Sequence, residues 1–160
     1  MITFTYLNKN EKEKILPELF DLLFDNMSEI APTNLTYEQE QMQWLGNVSP
    51  ALDKPARQII MCYADEELIG YIQYYINSKL LMIEELQLKK EHHCTLTFYR
   101  FCKYFIGTLP ADIEHVEAFA ERRNIKSQKL MQRLGMELID NNAEFVHLHG
   151  EADEIIKKFT

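Results

Sequence analysis

The sequence predicts an α/β fold in which a mixed central sheet carries helices on both faces. Three observations predict it. Short apolar runs with period two recur along the chain, separated by stretches whose apolar residues recur with the helical period. The run Leu80–Leu88 is apolar on both faces, as expected of a central strand covered on both sides. After it the period changes: Phe98, Phe101, Cys102, Phe105, Ile106 and Leu109 fall on one helical stripe. Strand thus passes through helix to strand in the middle of the chain, while hairpin signals lie before and after. The sheet is therefore antiparallel early and late and parallel at its centre.

The elements run in the order β α α β β β α β α β β. Ile2–Leu7 alternates and is rich in strand formers. Lys9–Lys14 is a charged lead-in to a helix marked by Ile15, Leu16, Leu19, Phe20, Leu23 and Met27, with Pro17 expected in its first turn. Ala31–Asn34 breaks that helix, and Thr36–Gln39 has the form of a capping box. The second helix shows Tyr37, Trp44, Leu45 and Val48 on one face, and Ser49–Pro55, with two prolines, reads as a loop. Gln58–Ala64 and Leu68–Ile76 form a hairpin about Asp65–Glu67. Asn77–Lys79 turns into Leu80–Leu88, where Leu80, Met82, Leu86 and Leu88 share one face and Leu81 and Ile83 the other. Lys89–Thr95 is a polar loop, and Thr95 or Thr97 can cap the helix that follows. Glu114–Ala120 is a strand and Ile125–Leu134 a helix stopped by Gly135. Met136–Ile139 and Glu144–His149 form the last hairpin, and Ala152–Phe159 a short terminal helix. Without repeats, low-complexity segments or linkers, residues 1–160 read as one domain.

The chain has 160 residues, 46% hydrophobic and 26% charged, in the range of soluble globular proteins. No apolar run is long enough to span a bilayer, and the N-terminal stretch lacks the pattern of a secretion signal. Three cysteines (Cys62, Cys94, Cys102) with no short paired spacing favour reduced thiols over a disulfide or zinc framework, so a cytoplasmic location is expected. A net charge of −8 disfavours nucleic acid as a partner and suits cationic small molecules or basic peptides.

Three stretches carry a resemblance. Ile83–Leu88 ends in the apolar-x-apolar triplet Leu86-Gln87-Leu88, the hairpin from Ile59 to Ile76 has an acidic turn followed by Gly70, and Asn124–Met136 reads N-x-x-S-x-x-L-M-x-R-L-G-M. Together with the element order they resemble the GNAT superfamily of acetyl-CoA-dependent N-acetyltransferases, from Gln58 onward. The resemblance implies acetyl-CoA as co-substrate and no metal, with a small-molecule or peptide amine as acceptor. It implies transfer within a ternary complex and no membrane partner; many proteins of that fold pair as homodimers. Acetyl-CoA would lie against Leu86, Gln87 and Leu88 and over the loop His93, Cys94, Thr95, Leu96 and Thr97, with Asn124 and Ser127 beside the pantetheine.

Two positions depart from that pattern. The family places glycines in the loop before the helix; aligning His92 with the pattern's leading residue puts Thr95 and Thr97 there, and sliding by one puts Leu96 and Phe98 there. Met131 stands where the family usually has a tyrosine acid, and a thioether donates no proton. If the fold is kept and the chemistry lost, the chain is a non-catalytic binding protein of the same architecture.

The base in an amine acetylation must sit beside the cleft, and Glu84 and Glu85 interrupt the central strand. Alternation sends them to opposite faces, so one at a time faces the cleft, and the other reading of each is an ion pair with a basic neighbour. His92 and His93 flank the loop, as phosphate partners or solvated groups. His147 and His149 share a strand face and can ligate a metal, but no third ligand stands near them in sequence, so no metal is expected. Of Tyr71, Tyr74 and Tyr75, one must face away from the others; all read first as packing, and one as a substitute acid.

Overall fold

The central strand is bent by one extra residue, and that bend positions everything that follows. In the computed structural model of the protein, which describes residues 1–93 and 95–160, seven strands form one sheet in the order β1-β2-β3-β4-β5-β7-β6. The strands are β1 Ile2–Tyr6, β2 Arg57–Ala64, β3 Glu67–Asn77, β4 Leu80–Leu88, β5 His115–Glu121, β6 Glu137–Asn141 and β7 Phe145–Glu151. The helices are α1 Lys12–Met27, α2 Tyr37–Ala51, α3 Leu96–Gly107, α4 Ile125–Arg133 and α5 Ala152–Ile156. Neighbouring strands are antiparallel except β4 and β5, which are parallel and joined through α3.

Each face of the sheet has its own core. Leu16, Leu19 and Leu22 of α1 and Val48 of α2 pack with Ile59, Met61 and Tyr71 on one face. Phe101 and Phe105 of α3, Ile155 of α5 and, at their margin, Met131 and Leu134 of α4 pack with Ile60, Ile72, Leu81, Val116 and Leu148 on the other. The helices therefore divide two and three between the faces; the sequence predicts helices on both faces but not how they divide. Among the described residues no helix is long and apolar enough to cross a membrane.

Three local readings need correction. Pro17 lies at the sixth residue of α1, because the helix starts at Lys12. The first turn is held by Lys12 Nζ, which donates to Ser49 O at 2.7 Å and reaches Asp53 Oδ1 at 2.6 Å. The same contact explains why α2 continues through Pro50 to Ala51, where the prolines suggest a loop. Leu52 is fully buried, its last turn tightens through Asp53 N to Pro50 O, and the Ser49 carbonyl left over finds Lys12.

The third correction concerns β4. Gln73 stands opposite Glu85, but Tyr74 stands opposite Ile83, so Glu84 is an inserted bulge residue. A one-residue insertion reverses the facing of everything beyond it. Leu81, Ile83, Leu86 and Leu88 consequently all join the α3 core, while Glu84, Glu85 and Gln87 turn to the α1 face. The expectation that the two glutamates face opposite ways fails for this reason.

Two sequence motifs at the ends of elements behave as written, whereas the expected threonine side-chain cap of α3 does not form among the described residues. Thr36 and Gln39 form the reciprocal capping box of α2. Gly135, with φ of +103°, closes α4: Gly135 N donates to Gln132 O and Met136 N to Met131 O.

Candidate functional site

Strands β4 and β5 pair only from Leu80–Ile83 to His115–Ala118. Beyond the bulge they part, and β5 continues to Glu121 beside β7 instead. The far half of β4, from Glu84 to Leu88, thus has a neighbour on the β3 side only. The bond from Lys89 N to Ile69 O sets the phase of the β3–β4 ladder. It makes Gln87 opposite Tyr71 a hydrogen-bonded pair, so the N–H and C=O of Leu86 and Leu88 point into the fork.

The carbonyl of Leu88 is occupied there. Asn26 Nδ2 donates to it at 2.8 Å, and His93 Nε2 lies 2.6 Å away, which requires the tautomer with the proton on Nε2. Asn26 Nδ2 also donates to Gln87 Oε1 at 2.9 Å, and Gln87 Nε2 donates to Glu85 Oε1 at 2.6 Å. A polar chain therefore runs from the end of α1 through Gln87 to Glu85. Asn26 and Gln87 are buried and Glu85 is half-buried. Burial pushes the Glu85 carboxyl up from 4.5 to about 7; the Gln87 bond opposes this shift and the nearby Glu84 adds to it.

Glu84 has a different environment. Arg57 grips it in a fork, Nε to Oε1 at 2.7 Å and Nη2 to Oε2 at 3.0 Å, and Gln73 Nε2 adds a third donor at 3.4 Å. The Arg57 guanidinium in turn lies 4.7 Å over the Tyr75 ring. Glu84 is a partnered structural carboxylate, and Glu85 is the one left able to exchange a proton.

At the mouth of the fork, α3 starts at Leu96. Thr95 is its N-cap residue, but among the described residues no side chain caps the helix: the Thr95 hydroxyl donates to His92 O at 2.6 Å. The first-turn N–H groups, which include those of Leu96 and Thr97, are thus not satisfied by a side chain. Cys94 lies outside the described residues. Across the fork, Asn124 caps α4 by accepting from Ser127 N at 3.2 Å, and its Nδ2 lies 3.7 Å from Met27 Sδ at the end of α1. Helix α4 carries exposed Lys126, Lys129 and Arg133 and no acidic residue.

The structure thus brings Glu85, Leu86, Gln87, Leu88 and His93 into direct contact or adjacency, and sets Thr95, Leu96, Thr97, Asn124 and Ser127 at two helix starts. Met131 packs against the α3-side core. Of the tyrosines, Tyr74 meets Phe105 edge-on at 4.8 Å, whereas Tyr71 and Tyr75 share the Glu85 face. Tyr71 is fully buried and its hydroxyl has no partner among the described residues. Asn26 was legible only as a polar residue on the apolar stripe of α1, seven after Leu19.

No protein-family model matches the sequence, and neither does any curated protein. Solved structures do. The PaiA N-acetyltransferase of Thermoplasma acidophilum, in complex with coenzyme A, superposes with a TM-score of 0.71 at 14% identity, over 94% of this chain and 99% of that one. An acetyltransferase of Thermus thermophilus gives 0.72 at 13% identity, over 94% and 97%. The spermidine N-acetyltransferase of Vibrio cholerae, in complex with CoA and spermine, gives 0.62 at 11% identity, over 97% and 98%. The chain therefore has the GNAT fold.

Proposed function

We propose that the protein is an acetyl-CoA-dependent N-acetyltransferase that acts on a primary amine of a small acceptor by direct transfer. The observation that carries this reading is Glu85, a carboxyl raised to about 7 and set beside the unpaired half of β4 at the β4–β5 fork. The backbone around it fits the co-substrate. The free N–H groups of Leu86 and Leu88 suit amide and thioester oxygens, and the uncapped start of α3 with the basic face of α4 suits phosphates. Acetyl-CoA, when bound, supplies the acetyl group as an activated thioester.

The chain's own residues perform the rest. One of the Leu86 and Leu88 N–H groups, which stand about 7 Å apart along the strand, donates to the thioester oxygen on which negative charge develops, and the other holds an amide oxygen of the coenzyme. Glu85, ionised above about pH 7, takes a proton from the acceptor's ammonium group and frees the attacking lone pair. Gln87 holds Glu85 in place, and Asn26 holds Gln87. Thr95 precedes α3 and Thr97 lies in its first turn; the Thr95 hydroxyl is spent on the His92 carbonyl, which leaves the Thr97 hydroxyl and the first-turn N–H groups to meet a phosphate. Met131 offers no proton, and a thiolate leaving group with a pKa near 8.5 needs little help from an acid, so solvent completes the turnover. Glu85 faces α1, whereas α3 and α4 cover the other face, which supports donor and acceptor meeting through the fork from opposite sides.

The test is release of free CoA from acetyl-CoA, followed with a thiol reagent, across a panel of primary amines including polyamines and amino sugars. Amine-dependent release that rises through about pH 7 supports the proposal. A second reading is favoured by the glycine-free loop and Met131: a binding protein of the same fold without catalysis. Acetyl-CoA binding with no release for any amine would establish that reading instead.

A further inference from the structure

At the end of β5 opposite the fork, the sheet's open face gathers a cluster that the acetyl-transfer site does not use. His115 and Glu151 stand opposite each other on β5 and β7, and His149 is the next residue facing the same way on β7. His149 Nε2 lies 3.2 Å from His115 Nδ1, and Glu151 Oε2 lies 3.6 Å from the same Nδ1. One ligand atom from each of the three residues falls within 4.8 Å of the others. Two nitrogens bound at about 2.0–2.1 Å to one tetrahedral zinc ion stand roughly 3.3 Å apart. The two imidazoles therefore already show the edge length of a tetrahedral site.

We propose that His115, His149 and Glu151 form a binding site for one divalent transition-metal ion of the zinc class. The surroundings suit a cation. Glu114, which Lys79 holds at 2.8 Å, has its Oε2 3.9 Å from His115 Nε2, the ring nitrogen that would not ligate; this is too long for a hydrogen bond but adds negative charge beside the cluster. A depression of about 320 Å³, bordered by Asp112, Glu114 and Asp153 as well as His115 and Glu151, lies beside two of the three ligands and gives the cluster access to solvent. His147 belongs to a separate pair: its Nε2 is 2.7 Å from Glu117 Oε1, and its ring stacks on Phe119 at 4.3 Å. The site ties β5 to β7 just before α5, away from the fork, so its role is to fix the sheet and not to take part in acetyl transfer.

The experiment is calorimetric titration of the full chain, free of any histidine tag, with zinc, backed by the visible spectrum of the cobalt-loaded protein. One ion per chain is expected, with a tetrahedral cobalt band. His115→Ala, His149→Ala and Glu151→Gln should each weaken binding by roughly tenfold or more, while His147→Ala leaves it unchanged. All four positions lie on an open face, and near-ultraviolet circular dichroism checks that each variant keeps its packing. Absence of binding, or undiminished binding in His115→Ala and His149→Ala, overturns the proposal. Loss confined to His147→Ala also overturns it, since the ion would then sit at the Glu117 pair.

Discussion

Two adjacent glutamates on one strand face meet different neighbours and so acquire different chemistry. Glu84 is held by Arg57 with both side chains mostly buried, at 21% and 25% exposure. Removing its charge leaves a guanidinium unpartnered, so Glu84→Gln should lower stability by about 1–2 kcal/mol, measured by urea unfolding, with kcat changed by less than about tenfold. Glu85→Gln should do the reverse. Loss of a general base lowers kcat by about 10²–10⁴-fold and removes the rise in rate through pH 7. Its effect on stability follows from linkage. The folded carboxyl holds its proton to about pH 7 against 4.5 when unfolded, so between those values the native state binds more protons. Wild-type stability therefore falls as pH rises from 4.5 to 7, and Glu85→Gln should melt higher than wild type at pH 8 and close to it at pH 4.5. The sequence offered the same two readings, catalytic base or ion pair, for each of these carboxylates. It could not show which, because Arg57 comes from a strand 27 residues away.

At the scale of elements, the decisive feature is how β4 is held against β3 while it leaves β5. Gly70 permits this closeness: a Cβ there would lie 2.5 Å from Leu88 Cδ1 and 2.8 Å from Gln87 O. The carbonyl cannot retreat without moving the strand. Gly70→Ala should destabilise the chain by about 1–3 kcal/mol and weaken acetyl-CoA binding, read by chemical unfolding and by calorimetry. Periodicity revealed the strands and helices well, because their apolar residues recur with the period of the element. The bulge at Glu84 was hidden, since an inserted residue among leucines leaves the apolar content unchanged and reverses only the facing. The prolines misled for a related reason: Lys12 and the buried Leu52 hold turns that local preference alone would end.

For the whole molecule, a net charge of −8 coexists with a helix, α4, whose charged residues Lys126, Lys129 and Arg133 are all basic. Such a chain repels phosphates on average, and α4 offers a local cluster of positive charge against that trend. Reversing the three charges to glutamate should weaken acetyl-CoA binding in low salt, with the loss shrinking as ionic strength rises, and leave the ligand-free melting temperature unaltered because all three side chains are exposed. The fold was legible in the sequence because element order is written in the period of the apolar residues, even though identity with the similar solved structures reaches only 14%. The cluster of His115, His149 and Glu151 was legible only in part: the sequence paired His149 with His147, whereas His115 reaches His149 across the sheet. The most direct test of the account is a thermal-melt titration of the purified chain with acetyl-CoA and with CoA. A ligand that binds only the folded chain, present at about a hundred times its Kd, stabilises it by about 2.7 kcal/mol. The account predicts a saturable rise in melting temperature with both ligands. A flat response at millimolar concentration would contradict it, and would mean that the fork between β4 and β5 holds no coenzyme.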